Sequence, residues 1–333
     1  MARKKDQEPG GLVVVDKPAG FTSHDVVAKL RGMARTRRVG HAGTLDPMAT
    51  GVLVIGTGKT TRLLGHLALT DKEYVATVRL GQTTVTDDAE GEVTGAKGAS
   101  GITGGDLEAA VGRLTGRISQ VPSKVSAVKV DGRRSYQRVR EGEDVQLAAR
   151  EITVSAFDVH EVRREQRAED GTEVVDVLVS VVCSSGTYVR ALARDLGELL
   201  GTGGHLTALR RTRVGPYRLE DARSPEELQS EVDSGRGVPL VPLGEAAAAA
   251  FPRWDVDAEQ ARMIGNGVQL RVPAGELAGT TGEAAGERGV VVSGTVAGEA
   301  EAPGPVAVFD PEGRLVALVE ERGGRVKSLA VFV

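Results

Sequence analysis

One stretch of fourteen residues sets the tightest limit on the fold. Arg38-Val39-Gly40-His41-Ala42-Gly43-Thr44-Leu45-Asp46-Pro47-Met48-Ala49-Thr50-Gly51 holds three glycines, one histidine and one aspartate. Its Gly and Pro residues predict a backbone held in a specific irregular shape. The fold must therefore grip a loop between regular elements. Pro47 locks its own φ and pushes Asp46 towards an extended conformation. A rigid loop presenting one acid suits a nucleophile or a general base. Asp-Pro also starts ordinary turns, so an Asx-type turn is the other reading of the same residues.

The rest of the chain mixes strands and helices. Residues 11–15 form an apolar run that ends at Asp16-Lys17-Pro18, a strand entering a turn. Helical spacing over Ser23 to Met33 puts Val26, Val27 and Leu30 on one face, with Thr22 or Ser23 as N-cap. Strands are expected at Val52 to Ile55, Glu73 to Leu80, Ile152 to Val159 and Val174 to Cys183. Helices are expected at Lys59 to Leu69, Asp106 to Leu114 and Tyr188 to Leu200, while 91–105 and 120–150 read as loops. No regular βαβ repeat emerges, so the expected class is α+β rather than doubly wound. From Pro252 onward the chain reads as a separate small β-rich domain. Its strand candidates are Val268 to Val272, Val306 to Phe309, Leu315 to Glu320 and Val326 to Val331. A Gly-, Ala- and Glu-rich stretch, 274–305, reads as a disordered insertion in that domain, and 1–10 as a disordered tail.

Only 3% of the 333 residues are aromatic, so each exposed ring is a candidate for base stacking. No run of about 18 apolar residues occurs, so no membrane span is expected. The charged N-terminus lacks a signal-like apolar region, and a cytoplasmic location is the default. One cysteine, Cys183, excludes an internal disulfide and a Cys-based zinc site. Five histidines without paired spacing argue against a metal site. Net charge is −4, but the charge is uneven. Residues 1–79 carry 13 Lys and Arg against 7 Asp and Glu, and residues 113–150 carry 9 against 4. Residues 250–333 are acidic, with 8 against 12. The basic segments could form a groove for a phosphate backbone, or a mixed surface without function.

Four blocks, in order, carry a family likeness. They are Gly11-Leu12-Val13-Val14-Val15-Asp16-Lys17-Pro18-Ala19-Gly20, the Asp46 segment, Asp71-Lys72-Glu73-Tyr74-Val75-Ala76 with Arg79-Leu80-Gly81, and Cys183-Ser184-Ser185-Gly186-Thr187-Tyr188-Val189-Arg190. Together they resemble the TruB family of tRNA pseudouridine synthases over roughly residues 11 to 215. The resemblance implies a mainly antiparallel mixed sheet flanked by helices in a catalytic domain over 11–250. It also implies a C-terminal PUA-like domain over 251–333, and a monomer. The implied activity is isomerisation of uridine 55 in the T loop of tRNA, with the uridine flipped out of its stack. That chemistry breaks the N1–C1′ bond, turns the base and rejoins it through C5. It needs no metal and no nucleotide cofactor.

The resemblance also assigns residues. Asp46 would be the nucleophile, attacking C6 of the base or C1′ of the sugar. A buried carboxylate tends to be protonated, so an attacking one needs a cation beside it, and Arg190 matches that position. Tyr74 would stack on the uracil and lie in reach of proton transfer. Tyr188 and Leu209 would line the uracil pocket. His41 would help hold the flipped nucleotide from the RNA side. Lys17 would either organise the Asp46 loop or contact a phosphate. Lys124, Lys129, Arg133, Arg134 and Arg138, in an insertion at 120–150, would contact phosphates of the T arm.

Two further patterns fail on inspection. Gly56-Thr57-Gly58-Lys59-Thr60-Thr61 looks like the end of a phosphate-binding loop, but Leu53 stands where that motif needs its first Gly. Ser126-Ala127-Val128-Lys129 fits Ser-x-x-Lys without the companion motifs of acyl-transfer enzymes. A non-catalytic RNA chaperone, binding tRNA in the same basic cleft, is the alternative from another class.

Overall fold

The computed structural model describes residues 10–126, 129–130, 133–134, 146–271 and 304–333. Its main body is a ten-stranded sheet. Along the sheet the strands run Val241–Pro242, Gly11–Lys17, Thr50–Thr57, Gly204–Val214, Lys72–Leu80, Glu173–Cys183, Arg150–Arg167 and Gly116–Gln120. Val39–Ala42 pairs with Thr50–Thr57, and Tyr217–Arg218 with Gly204–Val214. Every pairing in this sheet is antiparallel except one, where Thr50 and Gly51 run parallel to Arg210 and Arg211. The architecture is the expected α+β one.

Alternation explains the central strands. In Lys72–Leu80 the residues at 72, 74, 76, 78 and 80 are buried and those between are half-buried, as a two-residue period on a covered sheet requires. Val177, Val179 and Val181 on the neighbouring strand are likewise buried. Helix Ser23–Met33 covers the same layer with Val26, Val27 and Leu30. Its start is a capping box between Thr22 and Asp25, which satisfies two of the free amide groups of the first turn. Helix Val189–Leu199 packs Leu192 and Leu196 on this core. It ends at Gly201, φ +73°, the left-handed residue that commonly stops a helix.

Several expectations are corrected. The Asp46 segment is irregular only over 43–49, because its flanks join the strands Val39–Ala42 and Thr50–Thr57. Residues 59–69 are not one helix. A 3₁₀ turn, Gly58–Arg62, precedes a single helical turn, Leu64–Leu67. The loop 91–105 contains a strand, Val93–Ala96, paired with Gln82–Thr84. Residues 268–271 do not form the expected strand, Arg271 making an isolated bridge to Arg325, and Val272 lies outside the described residues. The strand Gly204–Val214 was not expected at all.

At the C-terminus, Arg253–Asp255, Val306–Phe309, Leu315–Arg322 and Arg325–Val331 form a four-stranded sheet. It is β-rich as expected, and one face has its own core of Trp254, Val256, Ile264, Val308 and Val316, while the other face shares a core with the main sheet. Ala307, Phe309, Leu315, Leu318 and Phe332 pack in one cluster with Leu12, Val14, Val52 and Val54 of the main sheet. Lys59 Nζ donates to the Phe332 carbonyl at 2.9 Å, and Arg62 donates to that of Val331. The lysine of the phosphate-loop lookalike thus fastens the C-terminal strand. No helix among the described residues is long and apolar enough to cross a membrane. The expected insertion at 274–305 and the tail at 1–10 lie almost entirely outside the described residues.

Candidate active site

Two neighbouring strands, the Asp46 loop and one helix start meet at a cavity of about 280 Å³. Gly43, Thr44, Leu45 and Asp46 form one wall. Lys72 and Tyr74 come from the central strand, Leu209 and Arg211 from the strand beside it, and Ser184 to Arg190 from the turn that enters helix Val189–Leu199.

The loop that carries Asp46 is tied from three sides. Lys17 is fully buried, and its Nζ donates to the carbonyls of Pro18, Phe21 and Pro47 at 2.9, 2.6 and 3.1 Å. Ser23 Oγ accepts from the Leu45 amide at 2.9 Å and lies 3.1 Å from the Leu45 carbonyl. Arg211, only 1% exposed, donates from Nε to Val52 and from its two terminal nitrogens to Thr44 and Gly43. Asp46 itself closes a turn, its carbonyl accepting from the Ala49 amide at 3.1 Å. Of the two readings of Lys17, the geometry favours loop organisation, since all three ammonium donors are engaged by carbonyls. Burial lowers its pKa to about 8.

Asp46 leaves its carboxylate at the cavity, with the side chain 37% exposed. Arg190 Nε donates to its Oδ2 at 2.9 Å. That arginine is 5% exposed and is fixed on its other sides by the carbonyls of Thr86, at 2.7 Å, and Val125, at 3.1 Å. A second carboxylate, on buried Asp88, lies 3.5 Å from the same Nε. The planar fork of Arg190 therefore bridges two acids and gives Asp46 a fixed counter-charge and direction.

Tyr74 is buried beneath the cavity, and burial pushes its phenol above the ordinary value, with the nearby Arg211 guanidinium partly opposing. Tyr188 is half-buried at the helix start. Its amide donates to Gln120 Oε1 at 2.9 Å, and its carbonyl accepts from Gln120 Nε2 at 3.1 Å. Leu209 is buried and lines the cavity. A pocket with aromatic and aliphatic walls, one aimed carboxylate and several fixed cations suits covalent chemistry on a planar ring shielded from water.

His41 is not among the cavity-lining residues. It sits on the strand Val39–Ala42 with its ring edge-on to His24, the centroids 5.6 Å apart. Burial lowers its pKa, with His24 adding to the effect. Lys124 is exposed. Lys129 and Arg134 are paired backbone positions of a short ribbon, with Val130 opposite Arg133, and Arg138 lies outside the described residues. Lys72, Asp88, Gln120 and Arg211 were not anticipated as site residues. Lys72 and Arg211 were accessible in principle, since each lies two residues from an assigned neighbour, Tyr74 and Leu209, on an alternating strand.

Comparison with known proteins decides the family. Residues 31–189 match the TruB family pseudouridylate synthase N-terminal domain, and 190–236 the C-terminal domain of tRNA pseudouridylate synthase B. Residues 293–333 match the C-terminal domain of tRNA pseudouridine synthase II. A tRNA pseudouridine synthase B from Streptomyces griseus is 60% identical over 97% of both chains. The chain belongs to the TruB family. Another TruB relative, the tRNA pseudouridine synthase B of Thermobifida fusca, is 52% identical over 97% of this chain and 98% of its own. Among solved structures, a Cbf5-Nop10-Gar1 complex superposes with a TM-score of 0.67 at 25% identity, over 97% of this chain and 85% of that one. The fold is thus that of the pseudouridine synthases, and the chain is an enzyme of that isomerase class.

Proposed function

We propose that this enzyme converts uridine to pseudouridine at position 55 in the T loop of tRNA, with Asp46 as nucleophile on a flipped-out uridine. The tRNA substrate is supported by the naming of the relatives as tRNA pseudouridine synthase B. The observation that carries the mechanism is the Asp46–Arg190 contact at the mouth of a cavity sized for a base. Tyr74 and Leu209 bracket the uracil, and Tyr188 closes the pocket from the helix start. His41 acts from the RNA side. Lys124, Lys129, Arg133, Arg134 and Arg138 hold the T arm through its phosphates, and residues 251–333 serve as a PUA-like RNA-binding module. The enzyme works as a cytoplasmic monomer without metal or nucleotide cofactor, because the isomerisation consumes nothing.

The test is purified protein with an unmodified T-arm stem-loop and no added metal or nucleotide. Pseudouridine is mapped by carbodiimide-dependent reverse-transcription stops. The expected result is a stop at the T-loop uridine that Asp46→Asn abolishes, with RNA binding kept within a few fold. Binding without a stop in the wild type would reassign the protein as an RNA chaperone. Near wild-type activity in Asp46→Asn would remove Asp46 as the nucleophile.

A further inference from the structure

Three cationic side chains, Lys72, Arg190 and Arg211, line the cavity alongside one carboxylate, Asp46. Arg190 is matched by Asp46 and Asp88. Lys72 and Arg211 are different. Both are buried, at 6% and 1% exposure, and neither pairs with a carboxylate among the described residues. Their partners are main-chain carbonyls. Lys72 Nζ donates to the carbonyls of Ala68 and Thr70, and Arg211 to those of Gly43, Thr44 and Val52. An ammonium has three donors. Two on Lys72 are taken, so one remains for whatever fills the cavity. Lys72 and Tyr74 also share one face of their strand, two residues apart.

A buried, unpaired cation costs free energy unless something at the site makes use of it. Carbonyl dipoles hold the ammonium in place without cancelling its charge. The wall formed by Lys72 and Arg211 is therefore a positive surface set in advance against the position of the base.

The geometry points to Lys72 as a further catalytic residue, with Arg211 behind it, stabilising negative charge that develops on the uracil ring. This rests on the proposed reaction. When the N1–C1′ bond breaks, its electron pair leaves with the base and spreads over N1 and the ring carbonyl oxygens. The Asp46 carboxylate supplies the replacing bond at C1′. After the ring turns, the C5 electrons form the C5–C1′ bond and displace Asp46, the C5 proton is removed and N1 is protonated. If Asp46 instead adds to C6, the displaced π electrons again reach a ring carbonyl oxygen. Both routes pass through a ring anion, and both need a fixed cation beside it. Burial lowers the Lys72 pKa to about 8, which leaves it protonated at neutral pH and makes it a strong donor.

The test compares two T-arm RNAs, carrying uridine or 5-fluorouridine at the reacting site. Fluorine withdraws electron density and stabilises the ring anion by itself. Single-turnover loss of the starting nucleoside is read after nuclease digestion, for wild type, Lys72→Met, Lys72→Gln and Lys72→Arg. On uridine, Lys72→Met is expected to be about 100-fold slower, the usual scale for losing one charge-stabilising donor, with RNA Kd within a few fold. On 5-fluorouridine that deficit should shrink about tenfold or more, following the weaker demand for stabilisation. Lys72→Gln keeps a donor for the two carbonyls but lacks the charge, so it should behave like Lys72→Met. Lys72→Arg should recover most of the rate. Equal deficits on both RNAs, or a deficit below about threefold on uridine, would overturn the assignment and leave Lys72 as a structural cap. Should Lys72→Met fail to fold, Lys72→Gln gives the same ratio. Wild-type protein inactive on the uridine RNA would sink the proposed function itself, a result distinct from equal deficits in an active enzyme.

Discussion

Arg190 has four partners: it donates to Asp46 and to the carbonyls of Thr86 and Val125, and the Asp88 carboxylate lies 3.5 Å from its Nε as an ion pair. A lysine keeps the charge but has neither the planar fork nor the reach to serve all four. Arg190→Lys should therefore lower the single-turnover rate by roughly 100-fold or more, with RNA affinity little changed, because preorganisation at the reacting atoms is lost rather than binding surface. A wild-type rate in that variant would separate Arg190 from Asp46 function. Asp46 and Arg190 were legible in the sequence because each stands in a block of unusual residues. Arg211 stands outside those blocks, in a strand that the pattern did not reveal, and Lys72, though inside one, is easily overlooked because a Lys in an alternating strand usually faces solvent. Their burial shows both to be inward-facing cations. Lys17 was legible as important but not in its role, since three carbonyls converge on its ammonium from segments up to 30 residues apart.

At the level of elements, one junction governs the cavity. Thr50 and Gly51 lie parallel to Arg210 and Arg211, where the strand leaving the Asp46 loop meets the strand carrying Arg211. Gly51 has φ +100°, and a Cβ there would sit 2.2 Å from the Arg211 carbonyl oxygen. Gly51→Ala should destabilise the fold by at least about 1–3 kcal/mol, the cost of a strained left-handed residue before the clash is counted. It should also impair catalysis by moving the loop. Gly32→Ala is the contrasting change. Gly32 lies in helix Ser23–Met33 with nothing within 4 Å of an added Cβ, so about 0.5–1 kcal/mol of added stability is expected. Chemical denaturation of both variants checks the pair, and a neutral Gly51→Ala would refute the tight junction. Helix Ser23–Met33 was readable to the residue because its cap and its apolar face agree. The strand Gly204–Val214 escaped notice because Arg210, Arg211, Thr212 and Arg213 break the apolar alternation in the middle of the sheet. One of its inward residues, Arg211, is an arginine bonded to carbonyls, not a valine.

For the whole molecule, the C-terminal sheet and the main sheet share one apolar cluster. Phe309, 1% exposed, lies within it. Phe309→Ala should cost about 3–5 kcal/mol, and unfolding should remain one cooperative transition followed alike by fluorescence and circular dichroism. Two separated transitions would show that the sheets fold independently, as the reading of a separate β-rich domain from Pro252 implies. The β-rich character of this region was legible; the shared core was not, since apolar residues in a strand do not reveal which neighbour they cover. The strand order has a consequence in time. Gly204–Val214 inserts between Thr50–Thr57 and Lys72–Leu80, so each of these early segments lacks one neighbour until a strand made much later arrives. During synthesis the Asp46 loop and the strand of Tyr74 must wait, each with one side open, for Arg211 to emerge. A nascent chain that stops short of Arg211 holds no finished pocket, so the ribosome delivers this site late in synthesis.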